Sequence, residues 1–140
     1  MDRKNKISLI IPCYNEEEAL PVFYSELVKV TADMSGQDFE FLFVDDGSKD
    51  KTLSVLKEFA ENDTRVVYLS FSRNFGKEAA MYAGFCNVTG DYVAVMDADM
   101  QDPPSLLRQM YEAVTEEGYD SVATRRISRE GEPLVRSFFA

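Results

Sequence analysis

Tyr92-Val93-Ala94-Val95-Met96-Asp97-Ala98-Asp99-Met100-Gln101-Asp102-Pro103-Pro104 passes from an apolar run straight into carboxylates. The five residues before Asp97 have strand-forming character, and in an extended backbone alternate side chains point the same way, so Asp97 and Asp99 are expected to face one spot. Two carboxylates at the rim of a buried strand repel each other and lose hydration, which is costly unless a cation or a strong donor stands between them. Gln101 continues the alternation, and its amide oxygen is a third hard ligand of the kind that magnesium or manganese accepts. A second reading stays open, in which Asp99 and Asp102 cap a helix that begins at Pro103-Pro104.

Bulk properties narrow the field. The chain has 140 residues, about one domain, with 45% hydrophobic and 29% charged residues, as in ordinary soluble globular proteins. A formal net charge of -10 argues against a general nucleic-acid binder, which needs a basic footprint, but leaves room for a phosphorylated ligand held through a divalent ion. Cys13 and Cys86 lack metal-ligand spacing and suit buried, reduced thiols in a cytoplasmic setting. Histidine is absent, which removes His-type zinc sites and every imidazole base. No apolar run is long enough for a signal peptide or a membrane span.

Outward from the central stretch, Ile7-Ser8-Leu9-Ile10-Ile11 reads as a buried parallel strand stopped by Pro12. Asn15 is expected to cap a helix running to about Met34 on Leu20, Phe23, Tyr24, Leu27, Val28 and Thr31. Phe39 to Val44 is the second strand, ending in Asp45-Asp46-Gly47-Ser48, with Ser48 or Asp50 capping a helix from about Lys51 to Asn62. Arg65 to Phe71 forms the third strand, and a helix carries Ala79, Ala80, Tyr82, Ala83, Phe85 and Cys86. A helix on Leu106, Leu107, Met110, Tyr111 and Val114 ends near Gly118, and Tyr119 to Thr124 is a predicted fifth strand. Strands and helices in strict alternation indicate an α/β fold, a mostly parallel sheet with helices on both faces. Functional residues in such folds lie beyond the carboxyl ends of strands, and three of those ends carry Asn15 and Glu16, Asp45 and Asp46, and Asp97 and Asp99.

Four ordered motifs, Ile10-Ile11-Pro12-Cys13-Tyr14-Asn15-Glu16, Val44-Asp45-Asp46-Gly47-Ser48, Arg73-Asn74-Phe75-Gly76-Lys77 and Asp97-Ala98-Asp99-Met100-Gln101-Asp102-Pro103-Pro104, resemble the family 2 inverting glycosyltransferases of the GT-A fold. Within them the chain is similar to the branch that transfers a sugar onto polyprenyl phosphate, bactoprenol glucosyltransferases and dolichyl-phosphate mannose synthases. The resemblance implies a Rossmann-like nucleotide-sugar domain over residues 1–124. Residues 125–140, basic and then amphipathic, would begin an acceptor or membrane-interface region of a chain truncated at its C-terminus. It implies that Pro12, Tyr14, Asn15, Glu16, Asp46, Lys77, Asp97 and Ala98 contact the nucleotide, and that Asp97, Asp99 and Gln101 hold magnesium or manganese. Asp97, Asp99 and Arg125 would be catalytic, with Arg126, Arg129 and Arg136 candidates for the acceptor phosphate. The alternative for Asp45 and Asp46 is a capped turn, and for Lys77 a surface position in the first turn of its helix.

Implied partners are a nucleoside-diphosphate sugar, with uridine diphosphate glucose the first choice and guanosine diphosphate mannose the alternative, and a polyprenyl phosphate. No nucleic acid is implied, and a homo-oligomer is compatible with the reading. The longer protein is expected at the cytoplasmic side of the cell membrane, and this chain alone is expected to be soluble. A phosphomonoester acceptor has its second pKa near about 6 and is largely ionised at neutral pH, so inversion would need no base. Competing readings are a saccharide acceptor, a non-catalytic nucleotide-sugar binding module, and a receiver-like magnesium-binding signalling domain. The last expects an acidic pair, a phosphorylatable Asp and a Lys where this chain has Asn15-Glu16, Ser72-Arg73 and Arg125.

Overall fold

A computed structural model describes residues 3–124. Strands β1 (Lys6–Cys13), β2 (Asp38–Asp45), β3 (Val66–Ser70) and β4 (Tyr92–Val95) form one sheet in the order β3-β2-β1-β4, every neighbouring pair parallel. Helices α1 (Ala19–Ala32), α2 (Thr52–Asn62) and α3 (Lys77–Asn87) connect them, and a 3-10 turn, Pro104–Leu106, precedes α4 (Leu107–Glu116).

Alternation along β2 sorts its side chains between two helical layers. Leu42 and Val44 pack with Ala80 of α3, while Phe43 on the opposite face meets Phe59 of α2, which stacks on Tyr24 of α1. Small residues let α3 come close: a β-carbon on Gly84 would lie 2.5 Å from Cγ2 of Ile10. Phe23, Phe41 and Phe43 are fully buried, each contributing about 1.5–3 kcal/mol of transfer free energy.

One charge interrupts this apolar interior at the amino ends of the strands. The Glu40 carboxylate accepts hydrogen bonds from Ser8 Oγ and from the backbone N–H and hydroxyl of Thr89, with Lys6 Nζ at 3.6 Å. Burial alone pushes its acid up, but these donors outweigh burial and leave it below the usual range.

The chain divides into a compact unit ending at Leu106 and a second beginning at Leu107. In the second, Arg108 pairs with Glu112 four residues on along α4, and Gly118, at φ +78°, closes the helix where the sequence places its end. The predicted fifth strand at Tyr119–Thr124 is not formed. A strand exists only through a partner's backbone, and the propensity of Tyr119 and Val122 alone does not create one. Arg125, expected at its end, lies outside the described residues, as do Arg126, Arg129 and Arg136.

Candidate active site

The loops after β1, β2 and β4 and the start of α3 line a cleft of about 270 Å³ at the carboxyl ends of the strands. Its walls are Pro12, Cys13, Tyr14, Glu16, Asp46, Lys77, Ala80, Asp97, Ala98, Asp99 and Gln101. Motifs separated by as many as 89 positions in the sequence thus meet in one place, as parallel topology demands.

Asn15 is the exception. It has φ +51°, its backbone N–H donates to Ser48 Oγ, and its Oδ1 accepts the N–H of Lys49, so it ties the β1 loop to the β2 loop outside the cleft. Nor does it cap α1, which begins four residues later at Ala19 with no side-chain cap. A left-handed backbone is one Asn tolerates, whereas an N-cap takes an extended one. The same two loops are joined again where Glu16 N–H donates to Thr52 Oγ1 and Glu17 N–H to Asp50 Oδ2.

The adjacent pair at the end of β2 divides its work. Buried Asp45 accepts the N–H of Ser48, a turn role. Asp46 lines the cleft and accepts the N–H of Phe75 at 2.7 Å and of Gly76 at 3.1 Å, one on each oxygen, bracing the loop that enters α3. Gly47 completes the brace. At φ +70°, with a would-be β-carbon 2.2 Å from the Arg73 carbonyl carbon, only glycine fits there.

Asp97 and Asp99 converge by a route other than strand alternation. β4 stops at Val95, and the chain then turns, with Met100 at φ +62° and Asp99 Oδ1 accepting the N–H of Gln101 at 3.1 Å. The turn delivers Asp97, Asp99 and Gln101 to the same cleft, and Asp97 Oδ1 receives Lys77 Nζ at 2.7 Å. Cys13 and Ala80 were not anticipated as lining residues. Their signal is positional, one ending a strand and the other lying one helical turn beyond Lys77.

The field in the cleft is negative. Burial raises the acid of Glu16, and the charges of Asp99, Asp97 and Asp50 raise it further. Burial and then Glu16, Asp45 and Asp97 push the Cys13 thiol up, so it stays protonated and serves as a wall, not a nucleophile. Two carboxylates and an amide oxygen are donors suited to a hard divalent ion. Among the described residues no group of three or more His, Cys, Asp or Glu side chains is gathered for a metal. Magnesium-type sites commonly use one or two carboxylates and complete the shell with waters and substrate phosphates, so the residues present fit that kind of ion.

In parallel α/β sheets, ligands bind in a crevice across the carboxyl edge, where this acidic, oxygen-lined cleft lies. The chain belongs to glycosyl transferase family 2, whose model matches residues 8–137. It is 45% identical over 138 residues to CsbB of Bacillus subtilis (strain 168), covering 99% of this chain and 41% of that protein. It is 44% identical over 124 residues to the bactoprenol glucosyl transferase of Shigella phage SfX, covering 89% of this chain and 40% of that one. The chain therefore spans about two-fifths of the length of these relatives. Among solved structures, the mannosyltransferase PcManGT of Pyrobaculum calidifontis, in complex with GDP-Man and Mn2+, superposes with a TM-score of 0.69 at 20% identity. That match covers 81% of this chain and 33% of that one and bears on the fold. A receiver-like signalling domain is set aside by the family match.

Proposed function

We propose that this chain forms the donor-binding part of a transferase that moves glucose from uridine diphosphate glucose to polyprenyl phosphate with inversion. The observation that carries the reading is the single cleft shared by Tyr14, Asp46, Lys77, Asp97, Asp99 and Gln101. Tyr14, 42% exposed at the cleft, offers a ring on which a base can stack. Pro12, Glu16 and Ala98 shape the nucleoside pocket, and Asp46 holds the loop that carries Lys77 toward the diphosphate. Asp97, Asp99 and Gln101 would hold magnesium or manganese, which supplies Lewis-acid stabilisation of the leaving diphosphate when bound.

The remaining chemistry needs little from side chains. An ionised lipid phosphate attacks the anomeric carbon without a base, in keeping with a chain that lacks histidine. On the family resemblance, Arg125 is assigned to the leaving group and Arg126, Arg129 and Arg136 are the candidates for the acceptor phosphate, whose negative charge a guanidinium suits. A lipid acceptor would put the transfer reaction at the cytoplasmic face of the membrane. Among the described residues no helix is long and apolar enough to cross one. The test is transfer of labelled glucose to polyprenyl phosphate by the protein in membranes. Lipid-extractable label that requires a divalent cation and carries the opposite anomeric configuration supports the reading. Transfer only from guanosine diphosphate mannose, or only to a saccharide, overturns it.

A further inference from the structure

Lys77 is the one base among the described residues lining the cleft, against four carboxylates, Glu16, Asp46, Asp97 and Asp99. Although its side chain is 57% exposed, its backbone is not free to wander. It is the first residue of α3, and the two N–H groups just before it, those of Phe75 and Gly76, are fixed by Asp46. A braced helix start therefore presents an ammonium to Asp97, 2.7 Å away. Without that ammonium Asp97 would share the cleft with Asp99 and Glu16 uncompensated, and like charges gathered in one cleft disfavour one another.

From this arrangement we infer that Lys77 is an exchangeable counter-cation: it neutralises Asp97 in the free protein and turns to the donor diphosphate when a divalent cation takes Asp97. The inference rests on the donor-site reading above. An ion pair this exposed contributes little to stability, so exchanging it costs little. The consequence is a coupling with a definite sign. Removing Lys77 favours the bare cation, which no longer competes for Asp97, and disfavours the nucleotide, which loses a phosphate contact. A lysine serving only the fold would move both affinities in the same direction or neither.

The experiment compares wild type, Lys77→Met and Lys77→Arg, each checked for intact folding by circular dichroism. Manganese is titrated alone, with free ion read by electron paramagnetic resonance, and uridine and guanosine diphosphates are then titrated calorimetrically at saturating manganese. Lys77→Met is expected to bind manganese about three- to tenfold tighter and the preferred nucleotide about tenfold weaker, with Lys77→Arg near wild type on both. Unchanged or weakened manganese binding in Lys77→Met overturns the exchange, even with nucleotide binding by the wild type intact. Tighter manganese binding in Lys77→Met with no nucleotide bound by any of the three proteins overturns the donor-site reading and leaves the counter-cation role standing. Manganese binding by neither wild type nor Lys77→Met overturns the counter-cation role.

Discussion

Lys77 Nζ stands 2.7 Å from Asp97 Oδ1, linking the first turn of α3 to the turn that follows β4. The pair is half exposed, with side chains 57% and 30% accessible, so its worth to the fold is small, about 0–1 kcal/mol. Its worth to ligand binding is larger, because the same carboxylate is an expected metal ligand. Asp97→Asn should leave the melting temperature nearly unchanged while metal-dependent nucleotide binding falls about tenfold or more. Paired thermal melts and calorimetry check both halves.

Asp46 should behave oppositely. Its two oxygens each take a backbone N–H, and asparagine would offer one acceptor and turn an amide NH2 toward the other donor. Asp46→Asn is expected to cost about 1–3 kcal/mol of stability, and nucleotide affinity should fall with it as the Lys77 loop loosens. Urea denaturation alongside nucleotide titration measures the two together.

Gly47→Ala should be among the most damaging small substitutions. The new methyl group would overlap the backbone of Arg73 and Asn74, and the residue would be held at φ +70°. A loss of about 3 kcal/mol or more is expected from denaturant unfolding, against about 1–3 kcal/mol for Gly84→Ala, where the neighbour is the Ile10 side chain and can shift.

How much of this was legible from residues alone differs by element. Strands β1 to β4 were readable because apolar runs between turn residues suffice for a parallel sheet buried on both faces. Tyr119–Thr124 carried the same kind of signal and forms no strand, since its backbone groups need a partner that propensity cannot supply. Strand alternation was expected to bring Asp97, Asp99 and Gln101 to one spot; they do line one cleft, but they reach it through a turn that begins after Val95. Asn15 was misplaced because its partners, Ser48 and Lys49, are more than 30 positions away. The Asp46 brace was invisible for the same reason, as is any hydrogen bond made across loops.

The acid limb of stability should depend on Asp63. The Arg65 guanidinium, and then the Tyr24 hydroxyl, hold its carboxyl down at about 2. A depressed acid stabilises the fold above its unfolded value, near about 3.9, and that contribution is lost as pH falls through about 2. Asp63→Asn should cost about 2 kcal/mol at neutral pH and flatten the stability profile between about pH 4 and 2. Tyr24 mirrors it at high pH. Burial and the hydrogen bond to Asp63 push its hydroxyl up to about 12, so its contribution is present below about pH 10 and is lost as pH rises through about 12. Urea midpoints measured across pH for wild type and Asp63→Asn test the pair.

The most direct test of the central claim is calorimetric titration of the chain with uridine and guanosine diphosphates, each with and without manganese, repeated on Asp99→Ala. Asp99 lines the cleft beside Asp97 and Gln101, and its alternative role, accepting the N–H of Gln101 within a turn, is local and exposed. The account predicts that one nucleotide, the uridine form, binds only with manganese and that Asp99→Ala abolishes this binding while the protein stays folded. Nucleotide binding that ignores both manganese and Asp99→Ala, or no binding by the folded wild type, would contradict it.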